Sequence, residues 1–278
     1  MNDEILKNIE TARELFEKGE YGKAETLYMQ VKKKADLPED RAVIWAELSW
    51  LYYHRKMYEK CIEAADNVML NNENYKAKEK LYRVQGYAYL GLKKSSMAIQ
   101  YLELSLDHNA ELPEQQIVKF EIGKLYFKRN EYDKALPLLE EIENYFKIEN
   151  EEYYLSILFF LGFSYYYLEN LTRARSYFDT IIKANPSQQR YVSALYGMAY
   201  VEYQNKNFLE VIALCEKIVS MDENFFDKET VGFLTAASYL HLGREDIFNV
   251  YFDQMQKTYP SGRYINELRE LQSRLSKN

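Results

Sequence analysis

The chain has 278 residues, 47% hydrophobic and 28% charged, a balance typical of a soluble globular protein that can bury a large core. Its formal charge of −7 argues against a general nucleic-acid-binding surface, which usually leaves a basic excess. No stretch approaches the ~18 consecutive apolar residues of a membrane span, and residues 1–10 lack the apolar core of a signal peptide. We therefore expect no membrane insertion and a cytoplasmic location, or a periplasmic one if a leader has been removed.

The composition favours helices. With 10 Gly and 5 Pro, the chain has few of the residues that form the turns of a many-stranded β fold, while Leu, Glu, Lys and Ala are abundant. Tyrosine is the outlier at 27 residues, and a functional account has to explain it.

In chain order, the first predicted feature is a short turn followed by an aromatic residue and a small one. It occurs at residues 19–24 (GEYGKA) and again at 130–135 (NEYDKA), with looser copies elsewhere. The small residue recurs at Ala24, Cys61, Ala98, Ala135, Ala174, Val211 and Phe248, at intervals of 37, 37, 37, 39, 37 and 37. Such a period indicates a repeat architecture, in which each unit buries its apolar face against its neighbours.

Three further columns share this register. Twelve residues before each of these seven anchor residues stand the small residues Ala12, Ser49, Gly86, Gly123, Gly162, Ala199 and Ala236. Nine before stand Leu15, Tyr52, Tyr89, Tyr126, Tyr165, Glu202 and Tyr239. Four after stand Tyr28, Ala65, Leu102, Leu139, Phe178, Cys215 and Phe252. Small residues allow two helix backbones to approach, and aromatic residues fill the space above and below that contact.

This pattern resembles the tetratricopeptide repeat, including the late prolines Pro186 and Pro260. The resemblance covers nearly the whole chain and implies an all-α fold, a right-handed superhelical α-solenoid of antiparallel helix hairpins in one domain, 1–278. The repeats would lie near 5–38, 42–75, 79–112, 116–149, 155–188, 192–225 and 229–262. The departures are the period of 37 rather than about 34, Glu202 in the aromatic column and Phe248 in the small one.

The last segment, 263–276, has Ile265, Leu268, Leu271 and Leu275 at helical spacing. We expect this amphipathic helix to cap the seventh repeat, with a partner-binding helix as the alternative.

No motif in the sequence points to catalysis or to a bound cofactor. His54, His108 and His241 are not spaced with Cys, Asp or Glu as metal ligands, and Cys61 and Cys215 fall in helical apolar patterns as small buried residues. Phosphate-binding loops and nucleophile elbows are absent from the sequence. We therefore expect no enzyme activity, no metal and no cofactor.

The resemblance implies that positions 2, 5, 9, 12 and 13 of each repeat line a concave groove. Of these 35 positions 14 are aromatic, where the chain average of 15% gives about five, and they include one acid against five Lys or Arg. The positions expected to contact a partner are Trp50, Tyr53, Arg83, Tyr87, Phe120, Lys124, Phe127, Phe159, Phe163, Tyr166, Tyr196, Tyr200, Tyr203 and Phe233.

The groove predicts an interaction scaffold or adaptor that binds a peptide or helical segment with apolar anchors and acidic flanks. The alternative is a regulatory receptor whose small ligand or peptide closes the superhelix. Some aromatic residues could instead pack between adjacent helices, or the groove could hold a segment of this chain or of another copy, with self-association through the end repeats. If the groove binds a partner, Phe163→Ala or Tyr200→Ala should weaken binding by ~2 kcal/mol without unfolding. Residues 259–261 (YPS) resemble bacterial envelope-assembly repeat proteins.

Overall fold

A computed structural model describes residues 3–108, 111–184 and 187–275. These residues form helices without a strand, which confirms the predicted all-α fold. The helices are α1 (Asp3–Glu17), α2 (Tyr21–Lys34), α3 (Pro38–His54), α4 (Tyr58–Asn71), α5 (Lys78–Gly91), α6 (Ser95–Asp107), α7 (Leu112–Lys128), α8 (Tyr132–Glu149), α9 (Glu151–Tyr167), α10 (Leu171–Ala184), α11 (Gln188–Gln204), α12 (Phe208–Met221), α13 (Lys228–His241), α14 (Glu245–Thr258) and α15 (Ile265–Leu275).

The chain divides into two compact units, Met1–Leu125 and Tyr126–Asn278, described separately as the N-terminal and C-terminal units. In the N-terminal unit, α1 packs on α2, α3 on α4 and α5 on α6, and each hairpin contacts the next. In the C-terminal unit, the pairs are α9 with α10, α11 with α12 and α13 with α14. The predicted helix hairpins are therefore confirmed within each unit.

The turn inside each hairpin has one residue in the left-handed region, five positions before the anchor. These residues are Gly19, Lys56, Lys93, Asn130, Glu169, Lys206 and Gly243, with φ between 58° and 74°. At the first turn, Gly19 N–H donates to Phe16 O at 2.9 Å and Glu20 N–H donates to Leu15 O at 2.9 Å. This is the Schellman arrangement, which satisfies the last carbonyls of the helix. Five of the seven positions are not glycine, so composition did not reveal the motif.

The anchor column forms the centre of each hairpin. All seven anchors are 0% exposed, and so is Phe178, four residues after the fifth anchor. The Phe178 ring lies against Gly162 of its own hairpin and Gly197 of the next, where an added Cβ would clash with it. In the third repeat, the side chain closest to Gly86 is likewise Leu102. The glycines therefore make room for the large residue four positions after the anchor.

Part of the tyrosine excess is structural. Within alternate hairpins, the tyrosine nine residues before the anchor stacks on one three residues after it, with centroid distances of 5.1 to 5.8 Å. The pairs are Tyr89 with Tyr101, Tyr165 with Tyr177 and Tyr239 with Tyr251. Stacked rings of this kind stabilise a hairpin by roughly 0.5–1.5 kcal/mol beyond their buried area.

Glu202, the departure in the aromatic column, has a charged partner. Its buried carboxylate lies 3.0 Å from Nη1 of Arg175, the residue after the preceding anchor. In the second repeat, Tyr52 occupies the column and its hydroxyl donates to Glu25, again the residue after the preceding anchor, at 3.0 Å. At this pair of positions, the second repeat has a Tyr–Glu hydrogen bond and the sixth repeat has a Glu–Arg ion pair.

We expect Arg175→Ala to lower the free energy of unfolding by about 2 kcal/mol, because it leaves the Glu202 carboxylate buried without its cation. The figure is below the ~3–5 kcal/mol of fully buried pairs, since the Arg175 side chain is 53% exposed. Adding Glu202→Gln should restore most of the loss in urea denaturation. If Arg175→Ala is as stable as the wild type, Arg175 does not offset the cost of burying the Glu202 carboxylate.

The seventh repeat ends in the predicted cap. Helix α15 packs on α13 and α14, with Ile265 3% exposed and Leu268 0% exposed. Phe248, the other departure, is 0% exposed and offers no surface for self-association. The extra residues of the longer period lie partly in six-residue connections, 72–77, 222–227 and 259–264, and partly in the 18-residue α8. Pro186 lies outside the described residues, as does the side chain of Leu275.

Cys61 and Cys215 are free and buried, as predicted. Burial raises the pKa of each thiol to about 12, which keeps both protonated and unreactive at neutral pH.

Candidate functional site

In the N-terminal unit, the predicted groove residues of α3 and α5 contact one another. The Trp50 and Tyr53 rings lie 6.0 Å apart edge to face, and Tyr53 lies 5.9 Å from Tyr87. The Arg83 guanidinium lies 5.7 Å above the Trp50 ring, a cation–π contact. On α7, Phe120 is buried beneath the Lys124 ammonium group, which lies 5.1 Å from its ring centre.

The basic residues at groove positions of the N-terminal unit have acidic neighbours, and these acids lie outside the predicted groove positions. Arg13 Nε donates to Glu47 at 3.0 Å, and the Lys124 ammonium donates to Glu121 at 2.7 Å. Arg83 lies 3.9 Å from Glu114. The hydrogen bond from Arg13 to Glu47 is the main cause that raises the pKa of this guanidinium. The charge around these basic residues is therefore nearer to neutral than the count of one acid against five Lys or Arg at the groove positions suggests.

In the C-terminal unit, eight predicted aromatic residues belong to one hydrophobic cluster, and we call these eight the C-terminal wall. Its members are Phe127, Phe159, Phe163, Tyr166, Tyr196, Tyr200, Tyr203 and Phe233. Phe163 is its centre, with ring centroids of Phe159 at 4.9 Å, Tyr200 at 6.2 Å and Tyr196 at 6.3 Å. Tyr166 reaches Tyr200 at 5.4 Å, and Tyr203 reaches Phe233 at 5.9 Å. Rings from α9, α11 and α13 thus meet across three consecutive repeats.

The depth of these rings differs. Phe163, Tyr196 and Phe233 are each 6% exposed, so they pack chiefly between first helices. Phe127, Phe159, Tyr166, Tyr200 and Tyr203 are half-buried, and a partner can reach them. Because Phe163 also lies 4.9 Å from the core ring of Phe178, Phe163→Ala should cost stability as well as binding. Tyr200 is the better test position.

A polar chain crosses the wall near the start of α13. Tyr200 donates to the Tyr196 hydroxyl at 3.1 Å, and Tyr196 donates to Asp227 at 2.6 Å. Asp227 caps α13 by accepting from Thr230 N–H at 3.3 Å, and it pairs with Arg263. Burial alone would raise the pKa of Asp227, but hydrogen bonds from Tyr196 and Thr230 outweigh it and lower the pKa.

The wall tyrosines remain protonated. Burial raises the pKa of Tyr203 to about 12, and it raises the pKa of both Tyr196 and Tyr200 further. Gln204 Nε2 donates to the Tyr166 hydroxyl at 3.3 Å. The hydroxyl groups therefore offer hydrogen-bonding atoms on an otherwise apolar surface. None of the predicted groove positions on this surface is an Asp or a Glu.

Position 13 has a different role from the one that the resemblance implied. Tyr132, the first residue of α8, stacks on Tyr167 of the fifth hairpin at 4.6 Å, and Phe208, the first residue of α12, stacks on His241 at 4.4 Å. These two position-13 side chains pack against the start of the second helix of the preceding hairpin. Burial and the nearby charge of Lys206 lower the pKa of His241, which keeps the stacked imidazole neutral at physiological pH.

Two aromatic residues extend the wall beyond the predicted positions. Phe160 lies 5.0 Å from Phe127 and 5.7 Å from Phe159, and so joins them. Tyr264, in the connection before α15, stacks on Phe233 at 4.3 Å. Phe160 could have been found from its aromatic neighbours in the sequence. Tyr264 lies after the seventh repeat, so the repeat register could not identify it.

Within residues 3–108, 111–184 and 187–275, the structure has no group of three or more His, Cys, Asp or Glu side chains that could hold a metal ion. Nor is any helix in this part of the chain long and apolar enough to cross a bilayer.

The family model described as tetratricopeptide repeat matches residues 161–224. No curated protein matches the sequence. The C-terminal part of a TPR repeat-containing protein from Cytophaga hutchinsonii has a TM-score of 0.64 and 15% identity, over 94% of this chain and 98% of its own. A tetratricopeptide repeat protein from Parabacteroides merdae has a TM-score of 0.58 and 15% identity over the full length of both chains. YrrB, a TPR protein with an unusual peptide-binding site, has a TM-score of 0.55 and 17% identity over 66% of this chain and 88% of its own.

Proposed function

Because the chain is a tetratricopeptide-repeat protein, we propose that it is an interaction scaffold that binds a segment of a partner protein on its C-terminal wall. The observation that carries the proposal is the aromatic cluster of the C-terminal wall, with half-buried rings on the three successive first helices α7, α9 and α11. A solvated helix face would carry Glu and Lys at such positions. Large aromatic groups dominate the binding energy of protein interfaces.

The wall also indicates the chemistry of the segment. Rings of Phe159, Tyr166 and Tyr200 suit apolar anchors, while tyrosine hydroxyls can hydrogen-bond to the backbone of an extended peptide or to polar side chains of a helix. Lys128 is exposed beside Phe127 and can meet an acidic flank of the segment. YrrB, which shares the fold, has a peptide-binding site, and this supports a peptide as the ligand here.

A photo-crosslinking amino acid at Tyr200 tests the proposal in cells that produce the protein. We expect an adduct with a partner protein from Tyr200, because this ring is half-buried in the wall, and none from Thr180, which is exposed on the second helix α10. The adducts are separated by mass and sequenced.

Absence of an adduct at Tyr200, or the same adduct from both positions, would contradict binding at the wall. An adduct of twice the mass of the chain would assign the wall to a second copy. A crosslink within the chain would assign it to a segment of the protein itself.

A further inference from the structure

A cleft of about 640 Å³ opens among α12, α13 and α14 of the C-terminal unit, away from the rings of the wall. Its floor is mostly apolar and includes Val231 (3% exposed), Thr235 (4%) and Met255 (4%). Gly232 forms part of the lining. The volume lies within the range of roughly 300–1,000 Å³ that is usual for small-molecule sites.

The seventh repeat lacks a side chain at a position beside the cleft where the other six repeats have one. The residues at the fourth position of the seven repeats are Asn8, Trp45, Tyr82, Lys119, Leu158, Leu195 and Gly232. In the sixth repeat, Leu195 takes this position, and the equivalent cleft among α10, α11 and α12 is smaller, at about 350 Å³. An atom at the Cβ position of Gly232 would lie 3.3 Å from the Met255 sulfur, the flexible end of a side chain. The Met255 side chain therefore lies directly against Gly232, and a group that enters beside Gly232 has to displace its flexible end.

The N-terminal unit shows what occupies the same place in another repeat. There the Trp45 indole ring takes the position of Gly232, and the Lys32 ammonium group lies 3.5 Å from the centre of that ring. In the third repeat, Tyr82 takes the position and contacts the His108 ring at 5.1 Å. An aromatic ring with an ammonium group beside it is thus an occupant that this architecture already accommodates.

The rim of the cleft carries an excess of negative charge. Glu216, Asp222 and Glu223 line it, against the single cation Lys228. In the part of the chain that the structure describes, Glu216, Glu223 and Lys228 form no ion pair. A cationic ligand would gain from this field, and an anionic ligand would be repelled.

We propose that this cleft binds a small aromatic ammonium compound of the arylethylamine class. The ring lies in the cleft beside Gly232, over Val231, and displaces the flexible end of Met255. The ammonium group lies at the rim, near Glu216 and Glu223. The site is separate from the C-terminal wall, so it provides a second and independent binding function.

Titration calorimetry with tryptamine and with indole-3-propionate tests the site, since the two probes share a ring and differ in the sign of their charge. We expect tryptamine to bind saturably and at least about tenfold tighter than indole-3-propionate. Gly232→Leu should weaken tryptamine binding by at least about tenfold, because the equivalent cleft beside Leu195 in the sixth repeat has only about 350 Å³. The matched control is Gly22→Leu, at an exposed position with open space around it, which should leave the affinity unchanged.

Absence of saturable tryptamine binding, equal affinities for the two probes, or an unchanged affinity in Gly232→Leu would overturn the proposal. If Gly232→Leu fails to fold, the surface variant Glu216→Gln/Glu223→Gln tests the proposal in its place. It should weaken tryptamine binding about fivefold without weakening indole-3-propionate, because it removes two rim charges and no part of the floor. Equal loss for both probes, or no loss for tryptamine, would count against the site.

Discussion

Phe178→Ala is expected to lower the free energy of unfolding by about 4 kcal/mol. Its ring is 0% exposed and fills the space between two glycines, Gly162 and Gly197, and the Phe163 ring 4.9 Å away. Glycines have no side chains that could move into the cavity, so the cost should lie at the upper end of the range for Phe→Ala. Urea denaturation followed by circular dichroism measures the loss.

The matched control for this substitution is Phe226→Ala, which removes the same atoms from a side chain that is 76% exposed. It should change stability by less than about 0.5 kcal/mol. A loss below about 1 kcal/mol in Phe178→Ala would show that the glycine-lined contact does not hold adjacent hairpins together.

Leu268→Ala is expected to lower the free energy of unfolding by about 3 kcal/mol. Leu268 is 0% exposed in the capping helix α15, which packs on α13 and α14 and ends the stack of repeats. Loosening the cap also exposes the end of the wall, because Tyr264 stacks on Phe233 just before α15 begins. Amide hydrogen exchange in α13 should therefore become faster in the variant.

Leu209→Ala serves as the control, since Leu209 is 74% exposed on α12. It should leave both the unfolding midpoint and the exchange of α13 unchanged. If Leu268→Ala has the stability of the wild type, α15 is not a cap, and the alternative of a partner-binding helix gains support.

The repeat register was predictable because it depends on residue size at fixed spacing. Each anchor from Ala24 to Phe248 is fully buried, as the columns required. The left-handed turn residues were not predictable from composition, since Lys56 and Glu169 occupy positions where glycine would be expected. There the hydrogen-bonded turn, and not the residue type, sets the conformation.

The wall was predictable only in part. Spacing identifies which face of a helix a residue occupies, and so it brought Phe159, Tyr166 and Tyr200 to one surface. It does not give the distance to the next first helix, and for this reason Phe163 and Tyr196, on the same face, are buried by their neighbours. The same limit applies to charge, because the acids beside the basic positions come from positions outside the groove register.

That residues 1–278 form a single domain stays a prediction, since the boundary between the two compact units falls within α7, after Leu125. The alternative of self-association through the end repeats, the acidic flank of the ligand and the absence of enzyme activity also stay predictions.

The central claim is that the half-buried rings of the C-terminal wall bind a partner. Its most direct test is quantitative capture from the native organism's lysate with wild-type bait and with a Phe159→Ala/Tyr166→Ala/Tyr200→Ala bait, both first shown by circular dichroism to be folded. We expect a protein that the wild-type bait retains and that the triple variant loses by at least about thirtyfold, the factor that ~2 kcal/mol gives. Identical retention by both baits would contradict the account and would mean that these rings serve only to pack the repeats.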